Sequence, residues 1–168
     1  MAITTRRARA PDQGSDRATA LAAPVVRPVR KADLDAVVAI DAQITGLEKR
    51  AYWRGIWQRY GEAPAPGRQF LVAEADGRVV GFVIGEVRDW EFGSPPCGWV
   101  FAIDVLPGLR QGGIGSRLLA AVCAGFRMAG VTKVRTLSAR DNHLVLAFFR
   151  SQGMMAGPFI PLELDLEV

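Results

Sequence analysis

The chain has 168 residues, 49% hydrophobic and 23% charged, which suits one domain around a single core. Its apolar runs fall far short of the roughly 20 residues a membrane span needs. The formal charge of +4 is uneven: residues 1–31 hold seven basic side chains against Asp12 and Asp16, a net +5, and the remainder is −1. A nucleic-acid-binding body would need clustered Lys and Arg with exposed aromatics on its folded surface, and the sequence offers neither. Cys97 and Cys123 lack C-x-x-C spacing, so neither a disulfide framework nor a zinc knuckle is expected, and no metal site. The N-terminal arginines precede no apolar segment like that of an export signal, so a cytoplasmic setting is expected.

Residues 1–23 mix Arg, Ala, Thr, Ser, Gly and Pro with few large apolar groups. They read as a disordered basic tail, with a contact arm for an acidic partner or an Arg-rich targeting peptide left open. Residues 24–168 read as the domain. Val25–Arg30 is a short strand. Asp33 can cap a helix carrying Leu34, Val37, Val38 and Ile40–Asp41. A second helix, about Leu47–Tyr60, puts Trp53, Ile56, Trp57 and Tyr60 on one side. After a Pro/Gly loop, Gln69–Ala75 and Arg78–Arg88 are strands joined by Asp76-Gly77, a hairpin signal. Trp90–Pro96 is a loop. Gly98–Leu106, almost continuously apolar, is a central strand covered on both faces. A glycine-rich turn leads into a helix ending near Met128. Val131–Ser138 is a strand, and Asp141–Gln152 is a helix stopped by Gly153. Phe159–Val168 alternates Leu162, Leu164, Leu166 and Val168 with acidic residues and reads as a last strand closing the sheet with one wet face. The order βααβββαβαβ describes an α+β fold: a mixed, mostly antiparallel sheet flanked by helices.

The chemistry is concentrated between Val105 and Leu119, where a buried strand turns into an amphipathic helix. Gly112, Gly113 and Gly115 let the backbone turn tightly and approach a ligand. Free N–H groups at the helix start, with the helix dipole, form an anion site suited to a diphosphate, and Arg110 can add a charge-assisted hydrogen bond. A Walker-type loop is excluded because Ile114-Gly115 stands where Lys-Ser/Thr would be. A dinucleotide fingerprint fails because Gly113-Ile-Gly115 is followed by Ser-Arg-Leu. No G-x-S-x-G elbow is present.

The run does match R/Q-x-x-G-x-G/A, as Arg110-x-x-Gly113-x-Gly115, with Val105-x-Pro107 before it and Leu118-Leu119 after it. Asn142, Phe149 and Gly153-Met154 partly reproduce a second element. In these features the chain resembles the GCN5-related N-acetyltransferase (GNAT) family from about Pro24 to Val168. The resemblance implies an acyl-CoA-dependent N-acetyltransferase with acetyl-CoA as co-substrate, and a central parallel strand pair splayed around it. The amides of Gln111, Gly112, Gly113, Ile114, Gly115 and Ser116 would bind the pyrophosphate, flanked by Arg110. Ile103 and Val105 would pair with the pantetheine arm, and Asn142 and Phe149 would lie along it. The amide of Ile103 or its neighbour would polarise the thioester carbonyl. The acceptor amine would attack directly, in a ternary complex.

Two family features are missing. Many relatives place a Tyr, which protonates the departing thiolate, where Phe149 stands. Many place a Glu in the strand before the phosphate loop, where this chain has Trp99, Val100 and Phe101. An enzyme without an evident base suits an amine already neutral at pH 7, and Trp90, Phe92, Trp99 and Phe101 could line an apolar pocket. A small hydrophobic or aryl amine is therefore the expected acceptor. The alternative within the family, a protein lysine acceptor, would need a base from Glu86, Asp89, Glu91 or Asp104. Asp104, beside the thioester strand, is the leading catalytic carboxylate, with a structural cap as its other reading. His143 reads as solvent-facing, Ser138 carries no sign of activation, and Cys97 lies near the expected acceptor entrance. A non-catalytic acyl-CoA sensor and an adapter docking through the basic tail are the competing classes. A membrane partner is not expected, and a homodimer is left open.

Overall fold

A computed structural model describes residues 23–166 apart from 64 and 66. Of the basic tail expected at residues 1–23, residues 1–22 lie outside the described residues. Within them the chain forms β1 (Val25–Pro28), α1 (Leu34–Thr45), α2 (Arg50–Tyr60), β2 (Arg68–Ala75), β3 (Arg78–Arg88), β4 (Cys97–Val105), α3 (Ile114–Met128), β5 (Val134–Arg135) and α4 (His143–Ser151), with short 3-10 turns before α1, β4 and α3. One sheet runs in the order β1-β2-β3-β4-β5. All neighbours are antiparallel except β4 and β5.

Local chemistry explains these elements. β2 turns into β3 through Asp76 at φ 49° and Gly77 at φ 71°, the two left-handed positions of a tight hairpin. α4 ends with Gly153 at φ 83°. There the Met154 amide donates to the Phe149 carbonyl and the Gly153 amide to that of Arg150, the paired bonds of a Schellman stop. Two apolar layers cover the sheet. Leu118, Val122 and Phe126 of α3 pack with Val83, Val100 and Val105 on one face. Val37 and Ile40 of α1 and Trp53 and Ile56 of α2 pack with Phe70, Phe82 and Ile84 on the other.

Three expectations are corrected. Asp33 does not cap α1 with its side chain. It sits in the preceding 3-10 turn, accepts from the Arg30 amide at 2.6 Å and from both terminal nitrogens of Arg27, and the Arg27 guanidinium holds its carboxyl below the usual range. The strand expected over Val131–Ser138 shrinks to Val134–Arg135. The strand expected from Phe159 onward is not formed at residues 159–166. Leu162, Leu164 and Leu166 are exposed there. Alternation fixes which side chains would share a face, but a strand also needs a partner edge, and β5 offers two residues.

Candidate active site

β4 carries an irregularity at the level where the sheet opens. Opposite β3, Val100 pairs with Gly85 and Ala102 with Ile84, so Phe101 is an extra residue, a bulge. Val100 packs into the α3 layer. Phe101 turns to Tyr60 of α2, ring centroids 5.4 Å apart. On its other side β4 pairs with β5 only at Gly98↔Val134 and Trp99↔Arg135, and the Thr136 hydroxyl then donates to the Val100 carbonyl at 2.8 Å. Beyond that point the strands part. The opening is a cleft of about 350 Å³ with Val100–Asp104 on one wall and Thr136–Ala139, Asn142, Val145 and Phe149 on the other. The strand edge at Phe101–Val105 thus faces a gap instead of a ladder partner, and an extended polar chain can satisfy it.

At the C-terminal end of this edge, α3 begins at Gly113, whose φ of 73° is left-handed and whose side chain cannot cap the helix. The first N–H groups of an α-helix have no internal partner. Gln111, Gly112 and Gly113 are exposed and Gly115 and Ser116 half-buried, whereas Ile114 is buried in the core beneath α3. A Cβ built on Gly112 or Gly113 would meet nothing within 4 Å. The first amides of α3, with open space beside Gly112 and Gly113, fit a diphosphate. Arg110 does not simply project as a free charge: its Nε donates to the Val105 carbonyl at 3.3 Å, pinning the side chain to the strand end.

Ile103, Asp104, Asn142 and Phe149 line the cleft together. Ile103 packs towards the α3–α4 layer, whereas the next residue shares the cleft with the α1–α2 layer. Asn142 caps α4: its side-chain oxygen accepts from the Val145 amide at 3.2 Å, leaving its amide nitrogen to donate elsewhere. Phe149 is buried and packs edge-on against Phe148.

The acceptor end differs from the aromatic pocket expected. Trp90 and Phe92 are exposed on the β3–β4 loop, Trp99 lies under the Arg88 guanidinium at 4.5 Å, and only Phe101 of the four lines the cleft. Asp41 of α1, Lys49, and Tyr52 and Trp53 of α2 take their place. Cys97 is buried at the start of β4, away from the cleft lining. Of the candidate bases, Glu86 accepts from the Tyr60 hydroxyl and from Arg88, Glu91 pairs with Arg88, and neither they nor Asp89 reach the cleft. His143 is exposed at the start of α4 and does not line the cleft with Ser138.

Asp104 does reach it. Among the described residues its side chain makes no hydrogen bond or ion pair. Burial, then the nearby Asp41 charge, pushes its carboxyl up to about 6, against the pull of Arg110 and Lys49. A carboxylate with that proton affinity is ionised at pH 7 and still accepts a proton readily. Asp41 was not foreseen as part of the site. The available signal was an acid on the buried stripe of α1, beside Ile40, where a charge needs a reason to be.

Comparison with known proteins follows the same lines. The profile of the acetyltransferase (GNAT) family matches residues 37–154. An L-2,4-diaminobutyric acid acetyltransferase from Nocardia farcinica is 36% identical over 87 residues, 52% of this chain and 44% of the relative, so the match spans less than half of that protein. The aminoglycoside N-acetyltransferase AAC(6')-Iy in complex with CoA superposes with a TM-score of 0.75 at 20% identity, covering 85% of this chain and 95% of its own. An aminoglycoside 6'-N-acetyltransferase from Acinetobacter baumannii gives 0.72 at 17% identity, over 86% and 100%. A transcriptional regulator from Bacillus halodurans gives 0.73 at 14% identity, again over 86% and 100%. Identities this low speak for the fold alone.

Proposed function

The chain belongs to the acetyltransferase (GNAT) family, and on that premise we propose that it is an acetyl-CoA-dependent N-acetyltransferase acting on a primary amine of a small cationic molecule, with Asp104 as the proton acceptor. One observation carries this reading: an unpartnered carboxylate of raised proton affinity lines the same cleft as the unpaired edge of β4. Acetyl-CoA supplies an activated acetyl thioester. The amides of Gln111–Ser116 would hold its diphosphate, and the free edge at Ile103–Val105 would align the arm towards Asp104.

An aliphatic ammonium has a pKa near 10.4 and cannot attack until it loses a proton. Asp104 takes that proton. The nitrogen lone pair forms the new C–N bond, and the amide of Ile103 or its neighbour stabilises the charge developing on the carbonyl oxygen. The C–S bond then breaks as the nitrogen, which still carries an excess proton after the attack, releases it to water in the open cleft. Phe149 has no proton to give, so the thiolate, whose parent thiol has a pKa near 8.5, takes one from water in the open cleft. An acidic acceptor end favours a cationic aliphatic amine over the aryl amine that the sequence suggested. The diaminobutyric acid acetyltransferase named above, whose acceptor is a small amine, supports the same choice.

Thiol release from acetyl-CoA, measured against alkylamines, arylamines and lysine peptides, tests this. Small alkylamines should turn over, with kcat/KM falling below about pH 6, where Asp104 protonates. Turnover of arylamines alone, or of lysine peptides alone, would overturn the acceptor class.

A further inference from the structure

Asp41 is 4% exposed although it lines the cleft. Its Oδ2 accepts from the Trp53 indole nitrogen at 2.8 Å and its Oδ1 from the Lys49 ammonium at 3.0 Å. These two donors differ in how easily they leave. Trp53 is 3% exposed and wedged edge-on against Phe82, with ring centroids 5.0 Å apart. Lys49 sits just outside α2 on a four-carbon stem, its side chain 35% exposed, with a further weak contact to the Tyr52 ring. Trp53 therefore fixes the carboxylate, and Lys49 rests on it as a removable alkylammonium.

We propose that the acceptor carries at least two ammonium groups, a small aliphatic diamine or polyamine, and that one of them replaces the Lys49 ammonium on Asp41 while the reacting amine lies at Asp104. The inference rests on the function proposed above. Exchanging one alkylammonium for another leaves the buried carboxylate paired throughout, and Lys49 swings into water, where its charge is well solvated. With Lys49 withdrawn, the cleft presents two carboxylates. A monoamine engages Asp104 alone and leaves Lys49 on Asp41, gaining a single ion pair. A dication neutralises both.

The test is steady-state thiol release at saturating acetyl-CoA and pH 8, with α,ω-diamines of increasing chain length set against monoamines of matched length. At that pH Asp104, which faces Asp41, Lys49 and Arg110, is ionised. The wild-type enzyme should favour its best diamine by at least about tenfold in kcat/KM, equivalent to about 1.4 kcal/mol. Asp41→Asn should collapse that ratio towards one. Lys49→Met removes the resident competitor and should lower the diamine KM severalfold, with the diamine also raising the melting temperature of this variant more than that of wild type. If Asp41→Asn fails to fold, the wild-type ratio and Lys49→Met decide. Equal use of monoamines and diamines by wild type, or a higher diamine KM in Lys49→Met, overturns the inference and leaves the acetyltransferase reading standing. Binding of acetyl-CoA with no turnover of any amine overturns both.

Discussion

Ile103 and Asp104 are adjacent, yet in the proposed function they belong to two regions that would recognise ligands by different means. On the α3–α4 side the proposed coenzyme contacts come from the main chain: the free edge of β4 and the uncapped start of α3. On the α1–α2 side the contacts come from side chains at positions 41, 49, 52, 53 and 104. The two meet just past the bulge at Phe101, where β4 resumes its pairing with β3 after its pairing with β5 has ended at Trp99. Main-chain recognition constrains the sequence through glycine, which leaves a pattern in consecutive letters. Side-chain recognition draws on residues scattered along the chain and leaves no such pattern.

The effect expected on coenzyme binding lies on the main-chain side. Gly113→Asp places a carboxylate in the open space beside the start of α3 and forces a non-glycine residue to φ 73°. CoA binding, measured by calorimetry, should fall at least about a hundredfold, or about 2.7 kcal/mol. Gly113→Ala carries the backbone strain without the charge, so it should lose much less. Equal losses in the two variants would mean that backbone shape, and not repulsion of a diphosphate, governs the site.

Asp104→Asn probes the side-chain side. Removing a general base costs typically about 10²- to 10⁴-fold, and the limb of the pH profile near 6 should vanish with it. CoA affinity should hold, in contrast to Gly113→Asp. Stability should move the other way. Because the folded-state proton affinity of Asp104 is raised from 3.8 to about 6, its favourable contribution is complete below the ordinary value and is lost as pH rises through about 6. Above that pH the Asn variant should be the more stable protein by about 1 kcal/mol after allowance for partial exposure, or roughly 2–4 °C. The gap should close as pH falls towards 4. A variant that is slower but no more stable at pH 8 would show that the Asp104 charge is better solvated than its surroundings suggest.

This contrast also explains what the sequence disclosed. The hairpin at Asp76-Gly77, the stop at Gly153 and the turn at Gly112–Gly115 were legible because special backbone conformations demand particular residues. The covering helices α1, α2 and α3 were legible from their 3.6-residue periodicity. The acceptor end was not. Trp90 and Phe92 look like pocket residues by composition, but they sit on a loop beyond the strands that shape the cleft, and Asp41 becomes a site residue only when α1 is laid across the sheet. The stretch from Phe159 shows a related gap: its alternation was plain, but the shortness of β5 depends on where β4 and β5 diverge, and no local pattern records that.

The smallest expected effect comes from Phe149→Tyr, at the boundary between the two sides. Phe149 lines the cleft, is 6% exposed, and rests edge-on against Phe148 with ring centroids 5.1 Å apart. A hydroxyl there would offer the departing thiolate a proton that wild type must draw from water. Thiolate is already a good leaving group near neutral pH, so kcat should rise by only about two- to fivefold, well below the usual return of a general acid. If the hydroxyl points into the cleft it is hydrated, and the melting temperature should hardly change. If it is driven into the α3–α4 core, an unsatisfied buried hydroxyl should cost about 1–3 kcal/mol. A rise in kcat at constant stability would place the thiolate beside Phe149. A fall in both would make that wall a packing surface, with the sulfur held nearer to Asn142.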